Sequence, residues 1–215
     1  MKGPEQYVII SSCPVSRAML SYIPQDAFVI AADAGWKNAV SLGISPQLTL
    51  GDFDSAPPPP GLGEVMWLPV EKDDTDTHFA AREALRRGAG SVTILGGLGG
   101  ARFDHAVANL ATLYFLAQNG TENRMADENT EMFCMLPGRR AVAAKAGYYL
   151  SVFAYGGTAG GVTLEGVKYP LVRHTVTSGH PLGTSNEFAA DTAYITLENG
   201  CLLVVLSRMD TAQEG

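Results

Sequence analysis

Leu50-Gly51-Asp52-Phe53-Asp54-Ser55 is the stretch from which the fold is read. An apolar segment, Leu48 to Leu50, runs into two carboxylates two residues apart, and Ala56 with the prolines Pro57 to Pro60 follows. Proline supplies no backbone donor, so the chain must leave any sheet here and expose the acids at a strand end. The motif has two readings. Asp and Ser are ordinary turn formers that bond to nearby backbone, and paired acids at a strand end also suit a cation.

Working upstream, Tyr7 to Ile10 and Ala27 to Ala32 read as two further buried strands, rich in Val, Ile and Phe. The second ends on Asp33, and Ala34 to Val40 reads as a short helix closed by Gly43. Downstream, Val65 to Val70 reads as a fourth strand that delivers Glu71-Lys72-Asp73-Asp74-Thr75-Asp76 to the start of a helix running to about Arg87. Thr75 or Asp76 can cap that helix, Phe79, Ala80, Ala84 and Leu85 form its apolar stripe, and Gly88 ends it. Capping accounts for one acid of the cluster, although acids also favour a helix N-terminus as a solvated first turn. In open α/β sheets ligands collect outside the carboxyl ends of the strands, so Asp33, Asp52, Asp54 and the second cluster would share one crevice. Two like charges about 4 Å apart repel by roughly 4 kcal/mol near a protein surface. Several carboxylates in one crevice therefore imply a cation, and an all-oxygen donor set favours Mg²⁺.

A fifth strand, Ser91 to Leu95, precedes Gly96-Gly97-Leu98-Gly99-Gly100-Ala101-Arg102-Phe103-Asp104-His105 and an apolar helix from about Ala106 to Gln118. Glycines such as Gly99 and Gly100 let amides approach an anion, the helix start adds partial positive charge, and Arg102 offers a forked donor to phosphate. The run lacks the Gly-Lys-Ser/Thr ending of a P-loop and the spacing of a dinucleotide fingerprint. A plain turn, with Asp104 as N-cap and His105 in the first helical turn, is the other reading.

From about Asn123 onward the alternation gives way to short apolar strands with Gly-rich turns: Met132 to Leu136, Tyr148 to Tyr155, Gly161 to Leu164, Asp191 to Leu197 and Cys201 to Leu206. The expectation is an α/β parallel-sheet domain over residues 1–125 followed by a small all-β sandwich domain over 126–215. Glu198-Asn199-Gly200 reads as a hairpin turn between the last two strands. Thr184-Ser185-Asn186 reads as a turn that either recognises a polar heterocycle or satisfies its own backbone.

The bulk properties agree with a globular protein: 215 residues, 46% hydrophobic, are enough for a proper core. A formal charge of −7 excludes a global basic surface for nucleic acid or an anionic membrane. Cys13, Cys134 and Cys201 lie far apart without CxxC spacing, which reads as buried thiols in a reducing compartment. No leader pattern is visible, and the longest late aliphatic run, Leu202 to Leu206, is too short to span a bilayer. The expected location is the cytoplasm.

These motifs together resemble the thiamine pyrophosphokinase family. Asp33-Ala34-Gly35 resembles its Asp-Gly-Gly, Gly51 to Ser55 its most recognisable signature, and Glu71 to Asp76 its second acidic cluster. Arg102-Phe103-Asp104-His105 with Ala108-Asn109-Leu110 resembles its Arg-x-Asp-His and Ala-Asn-Leu, and Thr184-Ser185-Asn186 its thiamine-side motif. The resemblance implies a homodimer with shared active sites that moves a diphosphate from ATP to thiamine with Mg²⁺. With the acid clusters, it implies Asp52, Asp54 and Asp76 as metal ligands. Asp52, Asp54, Asp73, Asp76 and Arg102 would be catalytic. Asp33, Thr75, Gly99, Gly100, Arg102, Asp104 and His105 would bind ATP, and Thr184, Ser185 and Asn186 would bind thiamine. Another Mg²⁺-dependent pyrophosphokinase, a nucleotide pyrophosphohydrolase and a non-catalytic sensor are the alternatives. Three departures are visible: Ala34 and Ala101 stand where the family commonly has Gly, and His78 where it often has a carboxylate.

Overall fold

A computed structural model of the chain describes residues 5–53 and 57–210, so Asp54 and Ser55 lie outside the described residues. The chain divides into two compact units after Glu128. The first contains strands β1 (Gln6–Ile10), β2 (Phe28–Ala32), β3 (Leu48–Gly51), β4 (Glu64–Trp67), β5 (Ser91–Leu95) and β6 (Glu122–Ala126). Its helices are α1 (Gly35–Ser41), α2 (Asp76–Arg86) and α3 (Phe103–Gln118). The strands lie in the order β6-β5-β1-β2-β3-β4, and each adjacent pair is parallel. Val8 to Ile10, Val29 to Ala32 and all of β3 are buried, as strands covered on both faces must be. Val8, Ile10, Val29 and Leu95 pack with Ala39 of α1 and Met19 of a 3₁₀ turn, Arg17–Tyr22, while α2 packs on β1, β2 and β3 and α3 on β6. From β1 the chain builds the sheet outward through β2, β3 and β4 on one side and then through β5 and β6 on the other. Because the strands are parallel, their carboxyl ends open on one edge, and Ser11, Asp33, Asp52 and Gly96 all leave the sheet there.

The differences from expectation have local causes. β4 stops at Trp67 rather than Val70, since Pro69 has no donor; the Leu68 N–H makes the last bond, 2.9 Å to the Gly51 carbonyl. β6 was not anticipated as a strand because Glu122, Asn123 and Arg124 hide its pattern, although Asn123 is buried. Helix α3 starts at Phe103 rather than near Ala106. Thr75 is the N-cap of α2, its Oγ1 accepting from the His78 N–H at 3.1 Å, and Gly88 follows the helix with a φ of +91°.

His78 joins α2 to α3: its Nδ1 lies 3.0 Å from Thr112 Oγ1 and its ring centroid 4.7 Å from that of Phe115. Burial pushes the imidazole below its ordinary pKa of 6.5, outweighing the upward pull of Asp74. A depressed histidine pKa means that the unfolded chain binds the proton more readily. His78 therefore contributes its full stability above 6.5 and loses it as the pH falls below that value. Replacing His78 by Gln, which keeps a polar contact without a titrating group, is expected to reduce the loss of stability between about pH 7.5 and about pH 5.5. Urea midpoints at the two pH values check this, and an unchanged difference would refute it.

The second unit contains β7 (Thr130–Met135), β8 (Gly138–Ala143), β9 (Tyr148–Ala154), β10 (Thr158–Glu165), β11 (Leu171–Thr177), β12 (Gly183–Asn186), β13 (Thr192–Leu197) and β14 (Leu202–Arg208). Strands β12-β9-β14-β7 are neighbours in that order, and β11-β10-β13-β8 form a separate antiparallel sheet. Alternate residues of both sets, among them Phe133, Leu150, Val152, Leu202 and Val204 against Val162, Leu164, Ala193 and Ile195, share one apolar core. Sequence pattern missed β8 and β11 because each buries one side chain only, Val142 and Val176. The hairpin expected at Glu198-Asn199-Gly200 is overturned. β13 pairs with β8 and β10, whereas β14 pairs with β7 and β9, so this segment carries the chain from one sheet to the other.

Candidate active site

At the end of β2 the Asp33 N–H donates to the Leu50 carbonyl at 2.7 Å, carrying the β2–β3 ladder one residue further. The two backbones close up there: a Cβ on Gly51 would lie 3.0 Å from Asp33 Cα. Asp33 and Phe53 both hold left-handed φ, +48° and +51°. Such backbone costs about 1–3 kcal/mol per residue and persists where surroundings enforce it. The turn at Phe53 has a visible product: the ring is buried, edge-on to Trp67 at 4.9 Å, while the neighbouring Asp52 remains partly exposed.

Asp52 does not face Asp76 directly. Lys72 Nζ lies between them, 3.1 Å from Asp52 Oδ2 and 3.0 Å from Asp76 Oδ1, with a third contact of 3.3 Å to the Pro69 carbonyl. Burial pulls the Lys72 ammonium down, but its close approach to the Asp76 and Asp52 carboxylates outweighs that and raises its pKa. Burial also raises the Asp76 carboxyl, with Asp33 and Asp52 adding to the effect and Lys72 opposing it. Beside this pair is a cleft of about 170 Å³ lined in part by Ser12, Asp33, Lys72, Asp74, Thr75 and Asp76, with His105 also on its wall. Asp73 is exposed and does not line this cleft; Asp74 does, tied to Arg82 at 2.5 Å.

Asp76 tests whether these residues suit a cation. Its Oδ1 is buried without an aligned hydrogen-bond donor, so the Lys72 charge is what faces it. A buried carboxylate oxygen in that position is costly unless a cation neutralises it, and an oxygen donor set fits Mg²⁺. Among the described residues no three His, Cys, Asp or Glu side chains form a ready-made metal cage.

The glycine loop lies at the same sheet edge. Asn109 Nδ2, buried in α3, donates to the Gly97 carbonyl at 2.8 Å, and the Cys13 N–H donates to the Gly96 carbonyl at 3.0 Å. Cys13 Sγ also reaches the Gly99 carbonyl at 3.3 Å, so this cysteine braces the loop and is partly exposed, not buried as expected. Beyond these ties Gly99 and Gly100 are exposed, with φ of +75° and +77° that other residues rarely adopt. Arg102 and Asp104 are exposed and paired with each other at 2.5 Å. Asp104 is therefore not the N-cap: Arg102 occupies that position without a side-chain cap. Neither Ala34, with φ −63°, nor Ala101 has a left-handed backbone, so alanine costs nothing at these two turns.

In the second unit Thr184, Ser185 and Asn186 form β12 rather than a turn. Thr184 Oγ1 donates to the Pro181 carbonyl at 2.9 Å. Asn186 is buried, its Oδ1 accepting from the Tyr169 and Glu187 N–H groups and its Nδ2 donating to the Tyr169 carbonyl. Both side chains thus brace local backbone. Ser185, exposed and held at φ +56°, turns its N–H to Ser151 Oγ at 2.9 Å.

Sequence reasoning missed Lys72, Asp74 and Cys13. A lone cation inside an acidic run was the available signal for Lys72; nothing in the spacing linked Cys13 to Gly99.

Comparison with known proteins supplies independent findings. The family description "Thiamin pyrophosphokinase, catalytic domain" matches residues 19–125. "Thiamin pyrophosphokinase, vitamin B1 binding domain" matches residues 140–202. The chain is 27% identical over 196 residues to the thiamine pyrophosphokinase of Bacillus subtilis strain 168, covering 88% of this chain and 91% of that protein. The crystal structure of thiamine pyrophosphokinase from Bacillus subtilis superposes with a TM-score of 0.85 at 25% identity, covering 95% of this chain and 99% of the other. That of the thiamin pyrophosphokinase from Geobacillus thermodenitrificans gives 0.84 at 27% identity, covering 95% and 98%.

Proposed function

The chain belongs to the thiamin pyrophosphokinase family, and from that premise we propose how its own residues carry out the transfer of a diphosphate from ATP to the thiamine hydroxyl, giving thiamine diphosphate and AMP. The observation that carries the reading is the grouping of Asp33, Asp52, Lys72, Thr75 and Asp76 at the carboxyl edge of a parallel sheet that also presents Gly99 and Gly100. The hydroxyl attacks the β-phosphorus and AMP leaves. Asp52, Asp54 and Asp76 would hold Mg²⁺, whose charge would neutralise that of the polyphosphate. Asp33 orients the nucleotide, and Gly99 and Gly100 offer amides to phosphate. The Thr75 hydroxyl holds the reacting groups from the cleft wall, Asp73, exposed two residues before it, would reach them from outside the cleft, and Arg102, released from Asp104, adds a forked donor to the triphosphate. Asp104 and His105 flank the same loop. Residues 1–125 form the nucleotide domain and 126–215 a β-sandwich for thiamine, with Thr184, Ser185 and Asn186 at its recognition edge; Thr184 and Asn186 would act there by bracing the backbone and the exposed Ser185 by direct contact.

The enzyme works as a homodimer in the cytoplasm on this reading. Among the described residues no helix is long and apolar enough to cross a membrane. Incubating the protein with ATP and Mg²⁺ is expected to yield AMP only when thiamine is present. AMP released equally without an acceptor would replace the transferase by a pyrophosphohydrolase.

A further inference from the structure

Lys72 has a role that the reaction scheme leaves unexplained. Its ammonium is enclosed by acids from two separate elements, Asp52 after β3 and Asp76 at the first position of α2, and its side chain is 13% exposed. The third contact is to a neutral carbonyl, that of Pro69. Lys72 stands in the irregular segment between β4 and α2, so its long side chain can swing without unwinding either element. It also lines the cleft together with Asp33, Thr75 and Asp76. The carboxylates that it bridges are those assigned above to Mg²⁺. One site between Asp52 and Asp76 cannot hold both cations, because like charges at that separation repel strongly.

We propose that Lys72 is an exchangeable counter-ion, which neutralises Asp52 and Asp76 in the ligand-free protein and is displaced when the metal enters, turning then to a phosphate oxygen of the nucleotide. The inference rests on the assignment of these acids to Mg²⁺ and of the cleft to ATP. It makes the two ligands cooperative: metal alone must push the ammonium toward the remaining acids of the cleft, Asp33 and Asp74, the second already tied to Arg82, whereas metal arriving with ATP brings a phosphate for it to meet. The ammonium also keeps the two acids close together before metal binds, at the cost of competing with it. Lys72 acts here as a positioning residue, through the acids and the phosphate, and not on the reacting atoms.

The test is Mn²⁺ binding to the nucleotide-free full chain, followed by electron paramagnetic resonance. Lys72→Met is expected to bind Mn²⁺ at least about tenfold more tightly than wild type, since the competitor is gone, and Lys72→Arg to stay near wild type. The tightening of Mn²⁺ binding by ATP should shrink in Lys72→Met. A residue that merely supported the fold would weaken metal binding when removed, not strengthen it. Lys72→Gln keeps a hydrogen-bonding side chain and guards against loss of fold; it should show the same tightening. Folded variants of both kinds that bind Mn²⁺ no more tightly than wild type overturn the proposal. Thiamine-dependent AMP formation by the wild-type protein is measured separately. Its absence beside a tightened Mn²⁺ site would overturn the assigned reaction and leave the counter-ion role standing.

Discussion

Asp52→Asn is expected to lower thiamine-dependent AMP formation by roughly a hundred- to a thousandfold, the usual scale for losing one charge-stabilising group in a phosphoryl-transfer site. Folding should survive the change. Asn has the shape of Asp, Phe53 still turns its ring toward Trp67, and Lys72 keeps its contact with Asp76 at 3.0 Å. The loss should fall on kcat and kcat/KM more than on thermal stability, because the buried ladders of β1, β2 and β3 do not depend on this side chain. Initial rates at saturating Mg²⁺, with a melting curve of the same preparation, separate the two effects. A purified variant with wild-type turnover would remove Asp52 from the site.

Gly35→Ala is expected to have the largest effect on stability, a loss of about 3 kcal/mol or more. The added Cβ would lie 1.9 Å from the Ile10 carbonyl oxygen and 2.7 Å from its carbon. Neither neighbour can yield easily, since Ile10 is registered between Ala31 on β2 and Leu95 on β5. The displaced element would be α1, whose Asn38 Nδ2 donates to the carbonyls of Ser11 and Cys13 at 2.7 and 2.8 Å. Moving α1 would therefore disturb the β1 loop beside the cleft as well. Denaturant midpoints measure the cost, and a wild-type midpoint would contradict the close approach of α1 to β1.

The parallel half of the molecule was readable at its centre, because β1, β2 and β3 are buried on both faces. Continuous runs such as Tyr7 to Ile10 have no other comfortable environment, and the acids that end them mark where the chain returns to water. Asp33, Asp52 and Asp76 could be placed at one edge from that logic alone. The relations between them could not. Lys72 meets an acid twenty residues earlier in sequence, and local spacing carries no information about that contact. In the second unit, β8 and β11 lack an apolar rhythm because each presents one buried residue to the core. The burial of Asn186 was not legible, because a buried amide is indistinguishable, in sequence, from an exposed one. Its amide closes on the backbone of Glu187 and of Tyr169, the latter seventeen residues earlier in sequence.

The crossing at Glu198 to Gly200 has a consequence for biosynthesis. Strand β14 lies between β7 and β9, paired from Leu202 to Ser207 with one and from Leu202 to Arg208 with the other, yet it follows both in sequence. While the nascent chain grows, β7 and β9 emerge first and each waits with an open edge until β14 has left the ribosome. The central strand of this sheet is thus the last to become available. A chain interrupted before Leu202 would leave two apolar strand edges exposed, the condition that favours aggregation and capture by chaperones.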